Sequence, residues 1–196
     1  TIDVANFRPM VSRPGEPHDT ACVADLARIK IDSAFIGSCT NGRFSDMQKA
    51  AEILRNRKLA PGVVLKIVPA TDAIWKLCLD EGLISVFKNS GAMVSNAGCA
   101  GCAAGQVGQN GPEEITISTG NRNFTGKQGR GSVYLASPEI VAASAVAGYI
   151  TTPGNIPREP LLFASAVKRV ESKENHNVQR IREQKSHILT GRIRII

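Results

Sequence analysis

The sequence predicts a layered α/β domain with a mostly parallel sheet, on three observations. Between Asp32 and Gly148, apolar runs of strand length alternate with stretches of helical periodicity. Glycine-rich loops bearing Cys, Asn, Arg and Lys follow several of those runs directly, where open α/β sheets hold their ligands. A 42% hydrophobic share against 21% charged, over 196 residues, supplies a sizeable core and excludes a disordered chain or a disulfide-stapled peptide.

The elements follow in order. Ser33-Ala34-Phe35-Ile36-Gly37 reads as a buried strand. Ser45 with Gln48 three residues later forms a capping box, and Met47, Ala50, Ala51 and Leu54 share one face of the helix it opens. A second strand spans Val63 to Val68 and closes on Pro69; a second helix spans Thr71 to Glu81. Ala92-Met93-Val94-Ser95, Ile115-Thr116-Ile117-Ser118 and Val133-Tyr134-Leu135 supply three further strands. Ser137-Pro138-Glu139 sets an N-cap, a first-position proline and a first-turn acid before an alanine-rich helix running to about Gly148. That alanine density implies close packing on several sides. Turn chemistry over Thr151 to Pro157 marks a boundary, giving a domain over 1–150.

Charge is divided unevenly. Residues 158 to 196 carry nine Lys/Arg against four Glu, most of the net +7, and leave residues 1 to 157 with 15 basic and 13 acidic groups. A near-neutral body with a basic extension reads as a domain with a charged linker over 151–188. Only Phe163 interleaves an aromatic with those charges, which disfavours a stacking platform for single-stranded nucleic acid. No apolar run reaches the roughly 18 residues of a membrane span, and Thr1-Ile2-Asp3-Val4 lacks a basic then apolar leader pattern. The closing Arg192-Ile193-Arg194-Ile195-Ile196 alternates like a strand with nothing to pair against, so the chain is expected to be a piece of a longer polypeptide.

Five cysteines in this setting argue against a disulfide framework. Cys99-Ala100-Gly101-Cys102 is the sharpest feature, because two thiolates three positions apart on a turn of small residues can chelate one metal centre. Three readings stand: a thiol redox pair, a zinc site recruiting Cys22 or His18, and an iron-sulfur cluster with Cys39 as third ligand. Cys39 sits in Gly37-Ser38-Cys39-Thr40-Asn41-Gly42 directly after the first strand, and small polar neighbours such as Ser38 can hydrogen-bond cluster sulfurs. Cys78 reads as a packed helix cysteine. A third loop, Ser118 to Arg130, brings Arg122, Lys127 and Arg130 within nine residues, a cationic clamp suited to carboxylates.

The Gly37–Gly42 segment, Gly98-Cys99-Ala100-Gly101-Cys102, and Asn121-Arg122-Asn123-Phe124-Thr125-Gly126-Lys127, in that order, resemble the aconitase superfamily: aconitase, homoaconitase and the large subunit of 3-isopropylmalate dehydratase. Ser137 to Val141 resembles it too, and the likeness spans about Asp32 to Gly148. It implies a three-layer α/β/α iron-sulfur domain with a [4Fe-4S] cluster on Cys39, Cys99 and Cys102 and one labile iron without a protein ligand. Ser38 and Asn121 would then contact the cofactor, and Arg122 and Lys127 the substrate. The implied activity is a hydro-lyase that isomerises a small hydroxy di- or tricarboxylic acid by dehydration and rehydration. Two departures stand out: Lys127 replaces the family's arginine and loses the planar fork, and Gly101 stands where many members have proline. The family's general base and other acid/base groups have no matching motif here, so no catalytic residue is expected within this segment, and the segment alone is expected to be inactive. Thr190 to Ile196 resembles the first strand of the family's swivelling domain, giving 189–196 as its truncated start. Further aconitase-like domains, in the same polypeptide or in a small subunit, are the implied partners. The location implied is cytoplasmic, or the mitochondrial matrix in a eukaryote. An RNA-binding regulatory relative and a Cys-x-x-Cys redox module are the alternatives.

Overall fold

The computed structural model describes residues 7–158. Most of the expected linker and all of the expected strand at 189–196 lie outside them. In chain order come β1 (Met10–Ser12), β2 (Thr20–Cys22), a 3₁₀ turn at Val23–Leu26, β3 (Ser33–Gly37), a single helical turn α1 (Ser38–Asn41), α2 (Phe44–Leu54) and β4 (Val64–Val68). Then follow α3 (Asp72–Asp80), α4 (Leu83–Ser90), β5 (Met93–Val94), β6 (Ile115–Ser118), β7 (Ser132–Leu135), α5 (Pro138–Ala147) and a 3₁₀ turn at Pro153–Asn155. No helix among the described residues is long and apolar enough to cross a membrane.

Among the described residues seven strands form one sheet in the order β2-β1-β7-β6-β3-β4-β5. The run from β7 to β5 is parallel, and β1 pairs antiparallel with β2 and β7. The fold is the α/β class expected, with a mostly parallel sheet. From β3 the chain moves outward to β4 and β5, then returns to the other side of β3 to lay down β6 and β7. This reversal makes the carboxyl ends of β3 and β6 a topological switch point, the place where such sheets open a crevice.

Burial explains the layers. Every residue of β3 is buried, and its side chains alternate between faces. Ala34 and Ile36 join Met47, Ala50, Ala51 and Leu54 of α2 and Val141, Ala142 and Ala145 of α5 in the main core. Phe35 faces the other way, in a small cluster with Val68, Ala100 and Val107. All but Glu139 of α5 is buried, as its alanine density implied. The second covering layer is, among the described residues, the irregular connection between β5 and β6 rather than a helix.

Several elements differ in detail from the expectation. The cap of α2 lies at Arg43, not Ser45, because the Asp46 carboxylate accepts the Arg43 backbone N–H at 3.1 Å and so closes the first turn earlier. The hairpin β1–β2 and helix α4 were not anticipated; α4 is delimited by Gly82 and Gly91, both left-handed. Packing also continues past residue 150. Thr151 is buried, and its N–H donates to Ser144 Oγ at 3.0 Å.

Candidate functional site

At the end of β3 the backbone turns out of the sheet through Gly37 (φ 143°) and Ser38 (φ 70°). A Cβ on Gly37 would lie 2.0 Å from the Val68 carbonyl oxygen, so only glycine fits between these strands. The turn leaves Cys39 exposed on α1. Thr119, fully buried just past β6, stitches this loop to the next: its hydroxyl accepts the Gly37 N–H at 2.9 Å, and its N–H donates to the Phe35 carbonyl at 2.9 Å. Asn41 Nδ2 adds a bond to the Thr119 carbonyl. The loops after β3 and β6 are thus one bonded unit across the switch point.

The loop after β5 joins them. Ala70 N–H donates to the Gly42 carbonyl at 2.9 Å and Gly98 N–H to the Pro69 carbonyl at 3.0 Å, tying the β3, β4 and β5 ends together. Cys102 N–H closes a turn on the Cys99 carbonyl at 3.2 Å. The Cys102 thiol lies 3.8 Å from Asn121 Oδ1, a weak thiol donor against an amide acceptor. Lys127 Nζ donates to the Cys102 carbonyl at 3.3 Å.

The five cysteines divide by exposure. Cys39 and Cys99 are exposed, Cys102 is partly exposed, and all five are free thiols. Cys22 is buried with its thiol 3.5 Å from Met10 Sδ, outside the site. Cys78 is buried in α3, and burial pushes its thiol up to about 11, which keeps it protonated and inert at neutral pH. No group of three His, Cys, Asp or Glu side chains among the described residues is close enough to share a single ion. A zinc site with His18 therefore has no support. A multi-iron cluster makes a different demand, since each thiolate binds its own iron and the ligands stand further apart. Exposed Cys39 and Cys99 and partly exposed Cys102 are soft donors of the kind such a cluster takes.

The other expected residues fall around this centre. Asn121 and Arg122 are exposed at the β6 end, and Arg122, Lys127 and Arg130 enter no ion pair among the described residues. The Lys127 ammonium places one hydrogen bond on the Cys102 carbonyl and keeps its charge beside the site. The Ser38 hydroxyl is buried without a hydrogen-bond partner among the described residues, sealed from the solvent that reaches Cys39; its visible contribution is the left-handed turn. Thr119 and the buried Gln128 escaped the sequence reading, because a threonine beyond a strand and a glutamine between glycines carry no periodic signal.

Comparison with known proteins bears on this arrangement. The model of the aconitase family (aconitate hydratase) matches residues 16–148. The chain is 45% identical over 157 residues, 79% of its length, to the probable 3-isopropylmalate dehydratase large subunit of Methanothermobacter thermautotrophicus, covering 38% of that protein. It is 46% identical over 158 residues, 80% of its length, to the 3-isopropylmalate dehydratase large subunit of Nitratidesulfovibrio vulgaris, covering 38% of it. With that of Campylobacter hominis it shares 49% identity over 158 residues, 78% of this chain and 37% of the relative. The chain spans a little over a third of the length of the curated relatives it matches. Motifs, fold and similarity agree: the chain belongs to the aconitase family.

Proposed function

We propose that this chain supplies the cluster-holding part of a hydro-lyase that dehydrates a small hydroxy di- or tricarboxylic acid and rehydrates the enoic intermediate. The names of its relatives favour isopropylmalate as the substrate class. The observation that carries the reading is the approach of the Cys102 thiol to Asn121 Oδ1 at 3.8 Å, which brings the Cys-x-x-Cys turn against the Asn-Arg loop at the switch point. Cys39, Cys99 and Cys102 would hold a [4Fe-4S] cluster, leaving one iron without a thiolate and therefore labile. Such a cluster supplies a Lewis acid that stabilises negative charge on a departing hydroxide.

The chain's own residues bind and orient. Asn121 flanks Cys102; Arg122, exposed and without an ion pair among the described residues, offers a planar fork to a substrate carboxylate. Lys127 holds the Cys102 carbonyl and adds positive potential beside the same crevice. Among the described residues a base for the carbon-bound proton has no candidate: His18, in the β1–β2 connection, is exposed and lies 2.9 Å from Glu16. That base would come from further domains or a small subunit, and residues 151–188 and 189–196 would be a linker and the start of a swivelling domain.

Two assays test this. Reconstituted anaerobically with iron and sulfide, the chain should bind about four irons, one lost on mild oxidation, and turn over nothing. Completed to the length of its relatives and paired with a small subunit, it should convert isopropylmalate, followed by absorbance of the enoic intermediate. There Arg122→Ala should cut turnover by orders of magnitude, because a carboxylate clamp acts through charge and geometry together. Full activity in Arg122→Ala would remove Arg122 from the site, and turnover by the chain alone would overturn the division of labour.

A further inference from the structure

The segment that carries Cys99 and Cys102 has little apolar burial of its own: over residues 95–110 only Ala100, Gly101, Gly108 and Asn110 are buried. Yet its path is closely determined. Gly101 and Gly108 lie stacked on the Phe35 ring. A Cβ on Gly108 would come within 2.6 Å of Gly101 Cα and 2.7 Å of the Phe35 ring, and a Cβ on Gly101 within 2.9 Å of that ring. One side chain clamps the stack from behind. Gln128, only 2% exposed, accepts the Ser118 hydroxyl at 2.8 Å through Oε1 and donates Nε2 to the Gly108 carbonyl at 3.0 Å. Its own carbonyl accepts the Asn110 N–H at 2.9 Å, and Gln109 Nε2 donates back to the Gly101 carbonyl at 3.1 Å. Both ends of the Gln128 amide are satisfied, so the clamp is rigid and directional where an apolar side chain would only fill space.

We infer that Gln128 is a positioning residue: anchored on β6 through Ser118, it presses the Gly101–Gly108 stack onto Phe35 and so sets the Cys99–Cys102 turn before any cofactor arrives. The assignment rests on the cluster reading above. Gln128 reaches the cysteines only through backbone, one residue from Cys102 by way of Gly101. A turn preset in this way gives up little chain entropy when its thiolates bind, which slows their release.

Two substitutions in the 196-residue chain approach the stack from opposite sides. Gln128→Glu keeps the acceptor for Ser118 but loses the donor to Gly108. Gly108→Ala leaves Gln128 intact and drives a methyl into Gly101. Amide hydrogen exchange of the apo-chain, its unfolding midpoint, and the rate at which a chelator strips iron from the reconstituted chain are then compared. The expected result in both variants is exchange about tenfold faster across residues 98–109 with β3 and β4 unchanged, and iron loss several-fold faster. Exchange that rises uniformly with a falling midpoint, or unchanged loop exchange with unchanged iron loss, would overturn the assignment. If the unmodified chain takes up no cluster, the cofactor reading falls first, and the exchange arm still decides whether Gln128 orders the turn.

Discussion

Ala34 and Ile36 face a layer of helices, while Phe35, between them, faces a loop of glycines and cysteines. The helix side is held by side-chain volume: Met47, Leu54, Val141 and their neighbours exclude water over a wide area. On the other side the backbone itself comes close, Gly101 and Gly108 lying flat on Phe35, and amide and ammonium groups of Gln109, Gln128, Lys66 and Lys127 hold loop carbonyls. The contrast shows how one strand serves both stability and chemistry. Apolar packing is non-directional and tolerates small shifts, whereas bonds from side chains to loop carbonyls fix a few backbone atoms and leave the thiols uncovered.

Thiol reactivity should separate the regions most widely. At neutral pH iodoacetamide should label Cys39, Cys99 and Cys102 of the apo-chain orders of magnitude faster than Cys78, whose thiol is pushed up to about 11 and buried in the main core, or than Cys22. Peptide mapping reads this directly, and rapid Cys78 labelling in the folded chain would break the comparison. Next comes core volume. Ile36→Ala should cost about 2–5 kcal/mol of folding stability by denaturant titration while leaving iron per folded chain unchanged. Phe35→Leu should cost less than about 1.5 kcal/mol yet speed iron loss, because the ring is the floor under Gly101 and Gly108. Equal effects of the two on iron retention would mean the faces are not independent.

Ser144→Ala tests the edge of the helix side. It strips the buried Thr151 N–H of its acceptor and should cost about 1–3 kcal/mol, placing residues 150–156 inside the cooperative unit. The smallest effect is electrostatic. Burial alone would raise the Glu139 carboxyl, but its own backbone N–H, the Ser137 hydroxyl and Lys49, 3.1 Å away, outweigh that and hold it below its ordinary 4.5. A carboxyl depressed in the folded state adds stability above its unfolded value, and that contribution disappears as pH falls through the folded value. Glu139→Gln should therefore flatten the acid limb of the stability curve slightly and make little difference once pH is below the folded value, with Lys49 too exposed to add much.

The same contrast explains what was legible in the sequence. Strands β3, β4, β6 and β7 and helices α2, α3 and α5 lie within a residue or two of the expected places, because apolar burial writes a period into the chain. Helix α4 does carry a signal: Leu83, Ile84, Val86 and Phe87 at helical spacing between two glycines, both left-handed. Strands β1 and β2, three residues each, are too short to show alternation. The cysteine and Asn-Arg loops were recognisable by residue type and order. Their support was not, since Thr119, Gln128 and the Phe35–Gly101–Gly108 stack act through single bonds and close approach, which leave no periodic trace. Lys127 shows what charge alone leaves out: its ammonium donates to the Cys102 carbonyl, a contact that residue type does not announce.

Three cysteines from two bonded loops are proposed to form one ligand set, while two others only pack. Iron bound per chain after anaerobic reconstitution, measured across the five single Cys→Ser variants, tests it most directly. Cys39→Ser, Cys99→Ser and Cys102→Ser should each abolish the cluster absorbance with the unfolding midpoint of the apo-chain unchanged, and Cys22→Ser and Cys78→Ser should retain about four irons per folded chain. Full iron content in Cys39→Ser, or loss of the cluster in a correctly folded Cys78→Ser, would contradict the account.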